Sequence, residues 1–191
     1  MENKKLLEEI RSYWNNRADG YSRVNQEELH SEQKEKWKEV LLEQLPKKEK
    51  DQVQILDIGT GPGFFAILLA EEGYQVTAVD YTEQMLQEAK SNAADLADQI
   101  SFKRMDAQNL EFPKETFDYI VTRNVTWNLE HPKRAYREWQ RVLKPGGKIL
   151  NFDANWYAYL YDDKLKLGYE QDRQRAKEEQ VEDYYEGTDI A

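Results

Sequence analysis

The sequence holds 191 residues with no cysteine, and its 27 Lys and Arg against 37 Asp and Glu leave a net charge of −10. That length allows one compact domain with its own core and hardly two. The lack of thiols excludes disulfide scaffolds, zinc–thiolate and iron–sulfur sites and cysteine nucleophiles, while the acidic balance disfavours nucleic acid as a partner, because such binding needs clustered cations to displace counterions.

Taken in chain order, the first elements are helices. MENKKLLEEIRSYW lacks the uninterrupted apolar stretch of a secretory signal and places Leu6, Leu7, Ile10 and Trp14 at helical spacing. The Asn15–Asn16 pair is expected to interrupt that helix. A second helix is predicted from near Gln26 to Leu45, with Leu29, Trp37, Val40, Leu41 and Leu45 on one side, ended by Pro46 and the KKEK stretch. Short apolar runs and helical periods then alternate. The strands expected are Val53–Ile58, Gln75–Asp80, Ile100–Met105, Phe117–Thr122 and Lys148–Asp153. Helices are expected near Phe64–Glu72, closed by Gly73; near Thr82–Ala97, capped by Thr82; and near Pro132–Leu143, opened by Pro132. This alternation predicts an α/β fold, a doubly wound, mostly parallel sheet with helices on both faces. The longest apolar run, Phe64 to Ala70, is too short to span a bilayer, so a cytoplasmic chain without membrane contact is expected. NWYAYLYDDKLKLGYE is predicted to continue as a helix with an aromatic side, carrying Trp156, Tyr159 or Leu160, and Asp163 about a turn apart. Beyond Gly168, Val181, Tyr184, Tyr185 and Ile190 are the anchors available, and residues 162–191 hold ten acids against five bases. The expected organisation is a helical cap over 1–50, a core over 51–153 and an acidic helical tail over 154–191.

The chemistry concentrates in ILDIGTGPGFFAILLA. An apolar strand ends in Asp57, and Gly59, Gly61 and Gly63 follow at alternate positions before a helix opens. Glycines let a ligand approach the backbone where a helix N-terminus presents unpaired N–H groups, and this loop lies at the carboxyl end of a strand. A tight turn without a ligand fits the triplet too. The next strand ends in Asp80, 17 residues after Gly63, near the spacing of an acid that accepts ribose hydroxyls. Asp80 as a helix-capping carboxylate is the competing reading. The third strand ends in Asp106–Ala107, where a carboxylate and the following N–H match an adenine edge. Asp57 beside the loop repels phosphate and suits a cationic aminoacyl group, and aromatic faces attract a sulfonium. A nicotinamide dinucleotide, which needs GxGxxG rather than GxGxG, comes second.

With these motifs the chain, from Tyr13 to about Trp156, resembles the class I S-adenosylmethionine-dependent methyltransferases, specifically the small-molecule, methyltransferase type 11-like group, and so implies a Rossmann-like core. DIGTGPG is similar to the family's first motif, which cradles the methionine part of the cofactor. VDYTEQML resembles the second, with Asp80 on the ribose and Tyr81 against adenine. RMDAQNL resembles the third, with Asp106 and Ala107 at the adenine edge. FDYIVTRNVTWNLEHPKRAYREWQRVLKPGGKILNFD is similar to the fourth strand, its helix and the turn into the fifth strand, and YWNNRADGY to the N-terminal cap signature. The resemblance implies S-adenosylmethionine as cofactor and a binding set of Tyr21, Asp57, Gly59, Thr60, Gly61, Gly63, Asp80, Tyr81, Met85, Asp106, Ala107, Arg123 and Asn124.

Methyl transfer is an in-line displacement on an activated carbon, so positioning and water exclusion can carry it without a dedicated catalytic residue. Asn124, Trp127, Asn128, Trp156 and Tyr157 are candidates to line the acceptor side, although Asn124 also suits a loop that caps its own turn. His131 and His30 are weaker candidates for a general base, and no metal site is expected. Trp37 and Trp139 are expected to pack helices onto the sheet. Tyr13, Trp14 and Tyr21 either fill the cap's own core or touch ligand. The family's seven-stranded sheet ends in an antiparallel hairpin, for which the 38 residues after Asp153 hold no pair of alternating apolar runs. The hairpin is therefore expected to be missing, leaving the fifth strand as an edge for the tail or for a second copy in a homodimer. The expected activity is methyl transfer to a small-molecule acceptor. A cofactor-binding module without turnover is the alternative, with a nicotinamide oxidoreductase behind it.

Overall fold

The computed structural model describes residues 2–155 and 157–178; Trp156, Val181, Tyr184, Tyr185 and Ile190 lie outside the described residues. Five parallel strands form one sheet: β1 (Gln54–Ile58), β2 (Gln75–Asp80), β3 (Ile100–Arg104), β4 (Phe117–Arg123) and β5 (Leu143–Phe152), in the order β3-β2-β1-β4-β5. The central strands β1 and β4 are near-continuous apolar runs because both of their faces are covered. On β4, Tyr119 and Val121 enter the core beneath α2 (Gln33–Gln44) and α3 (Phe64–Glu71), with Leu41, Phe65 and Leu68. Phe117 and Ile120 enter the opposite core with Trp139 of α5 (Pro132–Val142). From Tyr119 to Val121 that split follows the two-residue period of a strand, and Phe117 departs from it across the irregularity between Phe117 and Tyr119. Chain order reverses between β1 and β4, the switch point at which open α/β sheets leave a crevice beyond their carboxyl ends. The doubly wound α/β expectation holds.

The N-terminal helix departs from its expected form. α1 runs unbroken over Glu2–Leu29, through Asn15 and Asn16. An asparagine loses only some tenths of a kcal/mol against alanine in a helix, and tertiary contacts outweigh that here. Ala18, Gly20, Ser22 and Asn25 form a buried face. Asn92 of α4 (Glu83–Ala93) donates to Ser22 Oγ (3.1 Å) and to the Pro62 carbonyl (3.0 Å) and accepts from Gln26 Nε2 (2.7 Å), tying α1 to α4 and to the glycine loop. The break falls at residues 30–32, where Ser31 Oγ donates to the Glu28 carbonyl and accepts the Gln33 N–H. Val40, expected on the packed side of α2, is 42% exposed. α4 stops at Ala93, whose successor Ala94 has φ +46°, and a 3-10 stretch, Ala94–Gln99, follows.

β5 begins earlier than expected. Leu143 pairs with Phe117 and Lys148 with Tyr119, so the KPGG residues form an irregularity inside the strand. Gly147 is required there, since a Cβ would lie 2.8 Å from the Asp118 carbonyl oxygen. Among the described residues β5 and β3 are the sheet edges. Past it, the expected single aromatic helix is a 3-10 turn (Ala158–Leu160) and then α6 (Asp163–Glu178), parted where Asp162 Oδ1 accepts the N–H groups of Lys164 and Leu165. Tyr159 stacks on Tyr169 with centroids 4.1 Å apart, so this segment packs partly on itself.

Asp118 secures the amino end of the sheet. Its buried carboxylate accepts from Lys144 (2.6 Å), Lys48 (2.9 Å) and the Gln54 N–H (3.1 Å). Burial pushes the carboxyl up, but the two ammoniums and the N–H together outweigh it and hold its pKa at about 2. A depressed carboxyl stabilises the fold above the ordinary carboxylate range and loses that contribution as pH falls towards 2. Asp118→Ala is therefore expected to lose about 2 kcal/mol in urea melts at pH 7, with the gap to the parent closing between pH 4 and pH 2.

Candidate functional site

The loop after β1 is shaped by Gly59, whose φ of +64° and whose approach to Val125, with a Cβ placed 2.4 Å from Cγ2, leave room for no side chain. The Thr60 N–H donates to the Val79 carbonyl (3.0 Å), pulling the loop across the end of β2. Beneath it, Asp57 is buried and accepts the Thr60 hydroxyl (2.7 Å). Burial raises its carboxyl to about pKa 7, with the Thr60 hydroxyl and the Ala66 N–H opposing and the Asp80 charge adding to the rise.

Asp80 joins two elements. Its Oδ2 accepts the Gly61 N–H (3.0 Å) and its Oδ1 the Thr82 N–H (2.9 Å), so one carboxylate fixes the glycine loop and the start of α4. The expectation that Thr82 caps α4 with its own side chain is corrected: Thr82 holds the N-cap position without a side-chain cap bond there. The Asp80 carboxylate instead takes the N–H of Thr82 itself, and its negative charge lies where helix N-termini favour one. Burial also raises the Asp80 pKa against these donors.

At the end of β3, Asp106 Oδ1 accepts the Gln108 N–H (2.8 Å), and the Ala107 carbonyl accepts Trp139 Nε1 (2.8 Å), which fixes this turn to the core. Tyr81 donates to Glu8 Oε1 of α1 (3.1 Å) and lies under the Arg104 guanidinium, 5.5 Å from its ring centre. At the end of β4, Arg123 makes a two-pronged pair with Glu28 (2.8 and 2.9 Å) and lies over Trp37 and Phe64, at 4.8 and 5.0 Å. Asn124 has φ +57°, donates its N–H to the Phe152 carbonyl and accepts Trp127 Nε1 on its own carbonyl.

These pieces border an open cleft of about 810 Å³, solvent mouth included. Tyr21, Gly59, Gly61, Asp80, Tyr81, Met85, Asp106, Ala107, Arg123 and Asn124 line it. Asp57 and Thr60 line a small adjoining chamber with Tyr21, Asn25 and Arg123. Gly63 lines neither, and instead opens α3 with φ +93°. Of the acceptor-side candidates, Asn128 borders the cleft with Asn124; the Trp127 ring lies between Trp14 and Tyr157, at centroid distances of 6.2 and 6.0 Å. His131 gives its backbone N–H to Gln108 Oε1 at the start of α5, and His30 Nδ1 contacts the Gln26 carbonyl; neither borders the cleft. Sequence reasoning did not single out Gln108, Leu129, Glu130 or Asn25 for the site, and it read Leu7 and Ile10 only as a helical stripe. A polar groove at the amino end of the sheet, around Gln54, Tyr74, Gln99 and Ser101, gathers none of the motif residues.

Asp80 and Asp106 at the carboxyl edge, aromatic side chains from Trp14, Tyr21 and Tyr81, and a glycine loop with Asp57 behind it give this α/β domain a cleft whose charge suits a cation rather than a polyphosphate. Residues 56–151 match the family described as a methyltransferase domain. A ubiquinone biosynthesis O-methyltransferase of Coxiella burnetii is 31% identical over 109 residues, 56% of this chain and 47% of that protein. A ubiquinone/menaquinone biosynthesis C-methyltransferase of Rickettsia massiliae is 31% identical over 144 residues, 71% of this chain and 54% of that protein. A phosphoethanolamine N-methyltransferase of Haemonchus contortus, solved in complex with S-adenosyl-L-methionine, is 30% identical, with a TM-score of 0.54 over 61% of this chain and 27% of that one. The chain belongs to the S-adenosylmethionine-dependent methyltransferase family, and it spans about half the length of the curated relatives it matches. Membership in that family sets the nicotinamide reading aside. Among the described residues no helix is long and apolar enough to cross a membrane.

Proposed function

We propose that this chain binds S-adenosylmethionine in the cleft at the carboxyl edge of the sheet and transfers its methyl group to a small-molecule acceptor. The carrying observation is the bridge from Asp80 to Gly61 and Thr82, which places a carboxylate between the glycine loop and the Tyr81 wall. In this reading Asp80 holds the ribose, and Tyr81, Met85, Asp106 and Ala107 frame the adenine. Asp57, Thr60 and the glycine loop face the amino-acid arm. Gly63 acts at one remove, by letting α3 start where it does, and Arg123 by pairing with the cap. The bound cofactor supplies a methyl group already activated on a sulfonium.

The chain's own task is then to orient the acceptor and exclude water. Leu7, Ile10 and Trp14 of α1 line the cleft together with Leu129, giving it apolar surface with Asn128 and Glu130 as polar groups. That lining suits a compact organic acceptor, and relatives named for ubiquinone and menaquinone biosynthesis fit that class. The test is S-adenosylhomocysteine release against a panel of small acceptors, phenols and quinols among them. Acceptor-dependent release is expected. Tight cofactor binding with no release across the panel supports a binding module instead.

A further inference from the structure

Asn25 lies on the buried face of α1 and is only 5% exposed, and its buried Oδ1 has no hydrogen-bond partner among the described residues. A buried acceptor left without a donor loses its hydration and gains nothing in return, so the fold keeps it against its own stability. Such groups in native structures call for a specific explanation. The side chain borders the small chamber beside the glycine loop, together with Asp57, Thr60 and Arg123. The chamber has a definite polarity. Asp57 offers a carboxylate, and Arg123 has both arms of its fork on Glu28. Asn25 and Asp57, one an amide and the other an acid, therefore border one chamber in which the nearby cation is already engaged. A positively charged donor is the ligand chemistry that satisfies both. Asn25 is also held in place beforehand, because Ser22 and Gln26 anchor α1 to Asn92 on one side and Glu28 anchors it to β4 on the other.

We infer that Asn25 is a cofactor-binding residue whose Oδ1 accepts a hydrogen bond from the ammonium of the cofactor's amino-acid arm. This rests on the cofactor reading of the cleft. It makes the cap helix part of the binding site, and it selects for a charged amino-acid arm over a bare thioether.

The test is calorimetric titration of the full chain and its Asn25→Leu variant with three probes: S-adenosylhomocysteine, its deaminated analogue and 5′-methylthioadenosine. Asn25→Leu is expected to lose about tenfold or more in affinity for S-adenosylhomocysteine, while the other two ligands stay within about twofold of their parent values. Its ligand-free melting temperature is expected to hold or rise, because the orphan oxygen is gone; a purely structural asparagine would lower it. Asn25→Ala, smaller than asparagine, gives the same reading if leucine prevents folding. Equal losses for all three ligands, or an unchanged affinity for S-adenosylhomocysteine, overturns the assignment. If the parent chain binds none of the three, the cofactor reading itself falls, and this inference with it.

Discussion

Asp80→Ala is expected to weaken S-adenosylhomocysteine binding about a hundredfold, the size of one or two lost charge-assisted hydrogen bonds. The carboxylate has two roles. In the fold it collects the Gly61 and Thr82 N–H groups, and in the proposed complex it accepts from the ribose. The ribose is common to S-adenosylhomocysteine and 5′-methylthioadenosine, so both ligands should lose affinity together. That parallel loss distinguishes Asp80 from Asn25, whose variant should separate the two. Asp80→Asn keeps one acceptor but turns an NH2 towards a backbone N–H, and should fall between parent and alanine. An Asp80→Ala protein that still binds S-adenosylhomocysteine within threefold of the parent sinks the ribose assignment.

The second large effect is a pH dependence set by Asp57. Its carboxyl rises from 3.8 to about 7, chiefly through burial, with Asp80 adding to the rise and the Thr60 hydroxyl and Ala66 N–H opposing it. A group with a raised folded pKa contributes stability below its unfolded value and loses it as pH climbs through the folded value. The ligand-free protein is therefore expected to lose stability on the order of 4 kcal/mol through Asp57 between about pH 4 and pH 8. Asp57→Asn removes that slope. Denaturant melts of the pair at pH 5 and pH 8 check it: the variant should gain on the parent as pH rises, and parallel curves would refute the account. Ligand binding follows the same proton. An ammonium favours the ionised carboxylate, so S-adenosylhomocysteine affinity should rise with pH through about 7 in the parent and lose that rise in Asp57→Asn.

How much of this was legible in the sequence depends on the range of each interaction. The apolar runs of β1 and β4, the glycine loop and the acids ending β2 and β3 follow from patterns a few residues long, and they gave the doubly wound sheet. The cap was misread because Asn15 and Asn16 are locally unfavourable in a helix, while the contacts that keep α1 whole come from Asn92, far along the chain. Thr82 was read as a cap because it stands in the right place, yet its side chain makes no cap bond, and its own N–H is taken by Asp80. KPGG reads as a turn, and the sheet absorbs it as an irregularity of β5.

By itself, then, the sequence determined the order of strands and helices, the glycine loop, the set of acids at strand ends and the modest acidity of the part that carries them, since residues 162–191 hold ten acids against five bases. Each is a matter of local period or composition. Only the tertiary structure decided that Glu28 closes on Arg123, 95 residues away, that Asp57 sits deep enough to titrate near 7, and that an asparagine of the cap ends without a partner beside it. Pairing and desolvation depend on which surfaces meet when helices pack onto a sheet, and no short window of sequence contains that distance.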